Sequence, residues 1–104
     1  MSARFGMYGK IVAQPGQRDA LVAVLLQAAD GMRHVPGCEL YIVNMAVTEP
    51  DVIWVTEVWS SRKAHQEALE REEVKTTVAR HRHLIAGGDR IELAPVGGKG
   101  LTTQ

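Results

Sequence analysis

The sequence predicts an α+β fold of the ferredoxin-like kind: a four-stranded antiparallel sheet with its helices on one face, in the order β-α-β-β-α-β. Three observations predict it. Short runs rich in β-branched and aromatic residues alternate with helical patterns. The second and third of these runs are separated only by Thr48-Glu49-Pro50-Asp51, a turn by composition, so they should form a hairpin. Each helical pattern carries one apolar stripe, which gives it a single face to lay on the sheet.

Taken in order, residues 5–13, FGMYGKIVA, read as the first strand, and Gln14-Pro15-Gly16 follows as a turn. Residues 17–34 read as a helix in which Leu21, Leu25, Ala28 and Met32 share one face, and Pro36-Gly37 stops it. Residues 39–47 and 52–59 form the hairpin strands. Ser60 and Ser61 can cap a helix that starts near Arg62 and breaks around Glu70–Glu73. A second segment runs from Val74 to Ile85 and ends at Gly87-Gly88. Residues 90–96 give the fourth strand. The expected organisation is one domain over 1–96 and a Gly-rich tail over 97–104.

Composition narrows the function classes. A chain of 104 residues has room for one core, and 45% apolar residues are enough to build it. Lys+Arg and Asp+Glu are both 12, so no basic excess points to nucleic acid. The lone thiol, Cys38, rules out a disulfide scaffold within one chain and is read as structural. No apolar stretch approaches a membrane span, and the N-terminus lacks a signal-peptide core, so the expected location is cytoplasmic.

Closing the hairpin symmetrically pairs Val47 with Val52, and therefore Leu40 with Trp59, Ile42 with Glu57 and Asn44 with Val55. One face then carries Asn44, Glu57 and Trp59 among aliphatic residues. The other carries Tyr41, Met45 and Trp54 with no ionisable side chain. Both faces are largely apolar, yet the helices can cover only one. A second copy is the expected cover, which makes the assembly a dimeric α+β barrel joined through the face of Tyr41, Met45 and Trp54. The face with Asn44 and Glu57 would then lie under the helices as a pocket.

The stretches YGKIVAQPGQRDAL, PGCELYIVN and VTEVWSSRKAHQEAL resemble the antibiotic biosynthesis monooxygenase domain family, over roughly residues 7–95. The most specific piece is Glu57-x-Trp59 at a strand end, followed by a helix carrying Ala64-His65. The ending LIAGGDRIELAPVGGKGL is similar to a quinol-monooxygenase-like branch. The resemblance implies a homodimer with one pocket per subunit. It also implies oxygen insertion into an aromatic polyketide, a quinol or a similar electron-rich molecule, with no flavin, metal or haem. No dinucleotide fingerprint is present, because the tail's GGKG opens no helix. Haem-degrading members use an Asn, Trp and His set. Trp59 matches that tryptophan, but Gly9 falls near the asparagine's place and His65 follows Trp59 too closely, so haem degradation is disfavoured.

His65, in the first turn of its helix, is the candidate base, since a helix N-terminus keeps an imidazole neutral. Trp59 is the second candidate catalytic residue, able to stack on a ring or donate its indole N–H; a plain core role is its alternative. Asn44 and Glu57 either orient a substrate oxygen or bond each other, with Arg18 or Arg62 as other partners for Glu57. His81, on the apolar stripe of the last helix, is a core histidine or a substrate contact. No residue is expected to bind metal: His81-x-His83 does not put both rings on one helix face. The competing functions are an isomerase on the same scaffold and a small-molecule-binding stress protein without chemistry.

Overall fold

The computed structural model describes residues 3–101. Strand β1 (Phe5–Ala13) leads through a turn at Gly16 into helix α1 (Arg18–Gly31). Strands β2 (Cys38–Met45) and β3 (Val52–Trp59) form the hairpin. Helices α2 (Arg62–Leu69) and α3 (Glu72–His81) follow, and strand β4 (Ile85–Leu93) completes the sheet. The sheet order is β2-β3-β1-β4 with every neighbouring pair antiparallel, the ferredoxin-like α+β arrangement.

Local chemistry explains the helix boundaries. The Ser61 hydroxyl accepts a hydrogen bond from the Ala64 N–H at 3.0 Å, which caps α2. Arg71 adopts extended backbone (φ −68°, ψ 136°) and separates α2 from α3. Gly37, which leads into β2, has φ 87°. A Cβ there would lie 2.5 Å from the Ala64 Cβ, so this turn rests directly on α2.

The helix-facing side of the sheet holds the core. One cluster joins Phe5, Met7, Trp59 and Ala68. The other joins Ala13, Leu21, Ile53 and Val55. The opposite side has no helix over it, and there Tyr8, Ile42, Ile91 and Leu93 are exposed. Among the described residues, no helix is long and apolar enough to cross a membrane.

The hairpin register differs by one residue from the symmetric closure. Leu40 pairs with Val58, Tyr41 with Glu57, Val43 with Val55 and Asn44 with Trp54. The connecting loop is therefore odd in length, and β2 turns over relative to β3. Asn44 lies on the open side, where its amide donates to the Trp54 carbonyl at 3.0 Å and to the Thr56 hydroxyl at 3.3 Å. Tyr41 and Met45 belong by register to the helix side, whereas Trp54 remains on the open side. The loop is held from within, where the Val52 N–H donates to the Glu49 carbonyl at 3.2 Å, and from outside by Arg18. The Arg18 guanidinium donates to the carbonyls of Ala46, Glu49 and Val52 at 3.1, 2.9 and 3.4 Å, holding the loop in its odd form.

Strand β4 begins at Ile85 rather than at residue 90, so Gly87 and Gly88 extend the sheet instead of ending a helix. Gly88 pairs with Ile11, beside a register shift between Val12 and Ala13. A Cβ at Gly88 would approach the Lys10 carbonyl oxygen to 2.8 Å, so the close approach of the strands explains this glycine. Beyond β4 the chain has no regular structure up to residue 101, and Pro95 packs over Gly6. Residues 102–104 of the expected tail lie outside the described residues.

Candidate active site

A cavity of about 480 Å³ lies between α1, the α2–α3 pair and the helix side of the sheet. Its walls are largely apolar, with Leu21, Leu25 and Ala28 from α1, Met7 from β1, and Ala68 and Val74 from the later helices. Polar groups reach it from the sheet (Tyr41, Glu57 and Arg90), from α2 (His65), from α1 (Gln27) and from α3 (Glu73, Thr77, Arg80 and His81). A mostly apolar cavity with convergent polar groups is the usual form of a small-molecule site.

Glu57 sits in the sheet floor because the register pairs it with Met7 on one side and Tyr41 on the other. Its Oε1 accepts a hydrogen bond from Trp59 Nε1 at 2.9 Å. Trp59 is only 1% exposed, so its indole N–H is engaged in holding this carboxylate. Burial pushes the Glu57 carboxyl above the ordinary carboxylate range, while the Trp59 N–H and the nearby Arg90 guanidinium oppose that shift.

His65 projects from α2 between two rings, with centroids 5.1 Å from Phe5 and 5.4 Å from Trp59. Its Nε2 is 3.9 Å from Glu57 Oε1, too far for a hydrogen bond. Burial lowers the imidazole's proton affinity, Arg90 and Arg62 lower it further, and Glu92 works against them. The ring is held neutral, mainly by desolvation. Tyr41 is pushed well above its ordinary value by burial and by Glu57, so it stays a phenol. Cys38 is also raised, first by burial and then by Glu57, as befits an inert thiol.

Arg90 comes from β4 and reaches the cavity across Gly9, its register partner on β1. Its guanidinium lies 4.0 Å from the Met7 sulfur and 3.6 Å from a Glu92 oxygen. Arg62 pairs with Glu92 at 3.0 Å and lies over the Phe5 ring. Neither Arg18, which holds the hairpin loop, nor Arg62 is hydrogen-bonded to Glu57.

Of the residues singled out in the sequence, Trp59, His65, Glu57 and His81 line this one cavity. His81 does so from the end of α3, with Nδ1 3.0 Å from the Thr77 carbonyl oxygen. Asn44 does not reach it. Tyr41 and Arg90 were missed. Tyr41 follows from the odd loop, which only the long-range Arg18 contacts reveal. Arg90 lies within the expected fourth strand, but its place opposite Gly9 depends on the β1–β4 register, which the sequence does not give. Among the described residues, no three His, Cys, Asp or Glu side chains converge as a metal cage.

Comparison with known proteins agrees with this architecture. The family model for antibiotic biosynthesis monooxygenase matches residues 4–80. A crystal structure from Chloroflexus aurantiacus, a presumed antibiotic biosynthesis monooxygenase, is 42% identical with TM-score 0.86 and covers 95% of this chain and 99% of its own. A presumed antibiotic biosynthesis monooxygenase from Caulobacter crescentus superposes with TM-score 0.86 at 23% identity, covering 92% of each chain. The Pseudomonas aeruginosa protein PA3566 superposes with TM-score 0.83 at 20% identity, covering 93% of this chain and 98% of its own. These last two establish the fold alone. No curated protein matches the chain. With strands β1 to β3, the strand-end Glu57 and Trp59 and the helical His65 all within the matched segment, the chain belongs to the antibiotic biosynthesis monooxygenase family.

Proposed function

We propose that the cavity binds an electron-rich aromatic molecule, a phenol, quinol or anthrone, and that the protein oxidises it with dioxygen without a bound cofactor. The observation that carries this reading is the convergence of polar groups, Glu57 among them, on a cavity whose walls are largely apolar. Such a cavity can hold an aromatic ring, receive a phenol's hydroxyl proton or an anthrone's methylene proton, and limit water around the anion. The anion is itself the reductant. A methylene carbon of an anthrone becomes a carbonyl, one oxygen atom enters the product and the other leaves as water, so no external electron donor is required.

The residues do not fit the haem-degrading pattern. Gly9 places no side chain at the asparagine's position, and His65 is 6% exposed, wedged between Phe5 and Trp59. No step through haem is therefore derived.

The test is oxygen uptake with anthrone or hydroquinone by metal-free and flavin-free protein. Uptake should exceed the protein-free rate and should collapse in Ala28→Trp, which fills the cavity from α1. Uptake no faster than background, or an unimpaired Ala28→Trp, defeats the reading. Turnover of the ligand without oxygen would favour an isomerase instead.

The same reading includes a second copy across the open side of the sheet. Exposed Tyr8, Ile42, Ile91 and Leu93 beside Trp54 form an apolar patch, bordered by Asn44, Lys10 and Asp89, which a two-fold pairing of identical sheets would cover. This face replaces the one expected from Tyr41 and Met45. Sedimentation should give twice the chain mass, and Ile42→Lys should give the single-chain mass; a monomeric parent protein rejects this assembly.

A further inference from the structure

We propose that Glu57 is the group that takes the hydroxyl proton of the cavity's ligand, that Trp59 aims its carboxylate, and that the ligand class is therefore a hydroxylated ring presenting its O–H to Glu57 Oε2. The inference rests on the reading of this cavity as the ligand site. It assigns to Glu57 the role that sequence considerations give to His65.

Geometry favours the carboxylate. Its side chain is 11% exposed, and Oε1 is occupied by the Trp59 N–H at 2.9 Å. Among the described residues, no hydrogen bond engages Oε2. No fully buried side-chain polar atom in this set lacks a partner, so Oε2 is not sealed in the core and opens on the cavity that Glu57 lines. The result is an acceptor oxygen held in place by a neighbour that occupies the other oxygen. His65 offers less: its ring is packed against Phe5 and Trp59, and nothing orients its nitrogens toward the chamber through a hydrogen bond.

The surroundings suit proton transfer. The groups facing Glu57 are Tyr41 and Cys38 from β2, His65 from α2, Met7 from β1 and Arg90 from β4, whose guanidinium is also 3.6 Å from Glu92. Glu73, Arg80 and His81 line the chamber from α3. Tyr41 remains protonated, so it cannot compete as an acceptor. Burial raises the carboxyl's proton affinity toward that of an acidic phenol, which makes it a better base than a surface carboxylate. In the step itself the ligand's O–H bond breaks, the proton moves to Oε2, and the electron pair stays on the ligand oxygen. Arg90 is the nearby cation that favours the resulting anion.

Binding of 4-nitrophenol and its methyl ether, 4-nitroanisole, by equilibrium dialysis tests the proposal without any oxygen chemistry. The wild-type protein should bind the phenol at least about tenfold more tightly than the ether near neutral pH. Its affinity for the phenol should fall as pH rises through the ionisation of the free probe, because the phenolate brings no proton to share with Glu57. In Glu57→Gln the Trp59 N–H keeps the amide oxygen, so the amide NH₂ occupies the Oε2 position as a donor. The preference for O–H should disappear, and affinity should instead rise as the phenolate forms. Equal wild-type binding of phenol and ether, failure of the phenol to bind, or a wild-type pH profile in Glu57→Gln overturns the proposal. So does loss of the preference in His65→Gln in place of Glu57→Gln. Failure of the cavity reading is separate: it would appear as probe binding that Ala28→Trp does not impair.

Discussion

Strands β3 and β4 belong to one sheet and flank the same β1, yet they are built oppositely. In β3, Val52, Ile53, Val55, Val58 and Trp59 are buried. In β4 every residue is exposed. β3 is fixed by side-chain packing, with Ile53, Val55 and Trp59 buried on the helix side and Val52 and Val58 buried on the other. β4 is held to β1 by its backbone ladder and to α2 by the Arg62–Glu92 ion pair. The cavity draws on both: Glu57 and Trp59 from the packed strand, Arg90 from the exposed one. The acceptor carboxylate is thus set in a rigid wall, whereas the cation is on a long side chain that can follow a ligand's anion.

The largest expected effect tests this contrast directly. Trp59→Ala should destabilise the fold by about 3–5 kcal/mol at any protein concentration, since it empties a buried site and releases Glu57. Ile91→Ala, on β4, should cost less than about 1 kcal/mol in dilute protein, and more as concentration rises if a second copy covers the open side. Urea denaturation at two protein concentrations separates these outcomes. Equal, concentration-independent losses for the two variants would break the contrast.

Arg18→Ala comes next, at about 1–3 kcal/mol, because the loop carbonyls of Ala46, Glu49 and Val52 lose a shared donor. Hydrogen exchange should quicken around residues 46–52 and stay unchanged in the β1–β4 ladder. Equal quickening in both places would mean that the clip supports the whole sheet rather than one hairpin.

The smallest effect sharpens the contrast at the site. The folded-state proton affinity of Glu57 is raised, so the native protein binds more protons than the unfolded chain over the window between the ordinary carboxylate range and the raised value. Its contribution to stability falls as pH rises through that window. His65 has the opposite sign: its folded-state affinity is lowered, so its contribution is lost as pH falls from the ordinary histidine range. Glu57→Gln should therefore remove the part of the stability profile that falls as pH rises above the ordinary carboxylate range, and keep the part that falls as pH drops below the ordinary histidine range. Thermal melts across pH measure this, and a Glu57→Gln profile that keeps the first slope would assign that titration to another group.

How much of this was legible in the sequence follows from where the determining contacts lie. The limits of β1 and β3 and the Ser61 start of α2 depend on neighbours in the chain, and periodicity and capping chemistry were enough to place them. Glu57, Trp59 and His65 were visible as a cluster because they lie within one strand end and the helix turn after it. The position of Asn44 was not legible, because its face is set by a loop whose shape depends on Arg18, 28–34 residues earlier in the chain. Gly88 likewise reads locally as a helix stop, and only its closeness to the Lys10 carbonyl explains it as part of a strand.

The odd hairpin loop has a consequence for folding kinetics. A symmetric turn at Thr48–Asp51 can close from local contacts alone, and it would turn Asn44 inward and Tyr41 outward. The native register gains its clip only after α1 has formed and Arg18 has reached the loop. An early hairpin can thus zip in either register, and chains that choose the symmetric one must reopen the β2–β3 ladder before the cavity can form. On that pathway Arg18 would act as a proofreading contact, stabilising the native register of the hairpin once α1 has formed.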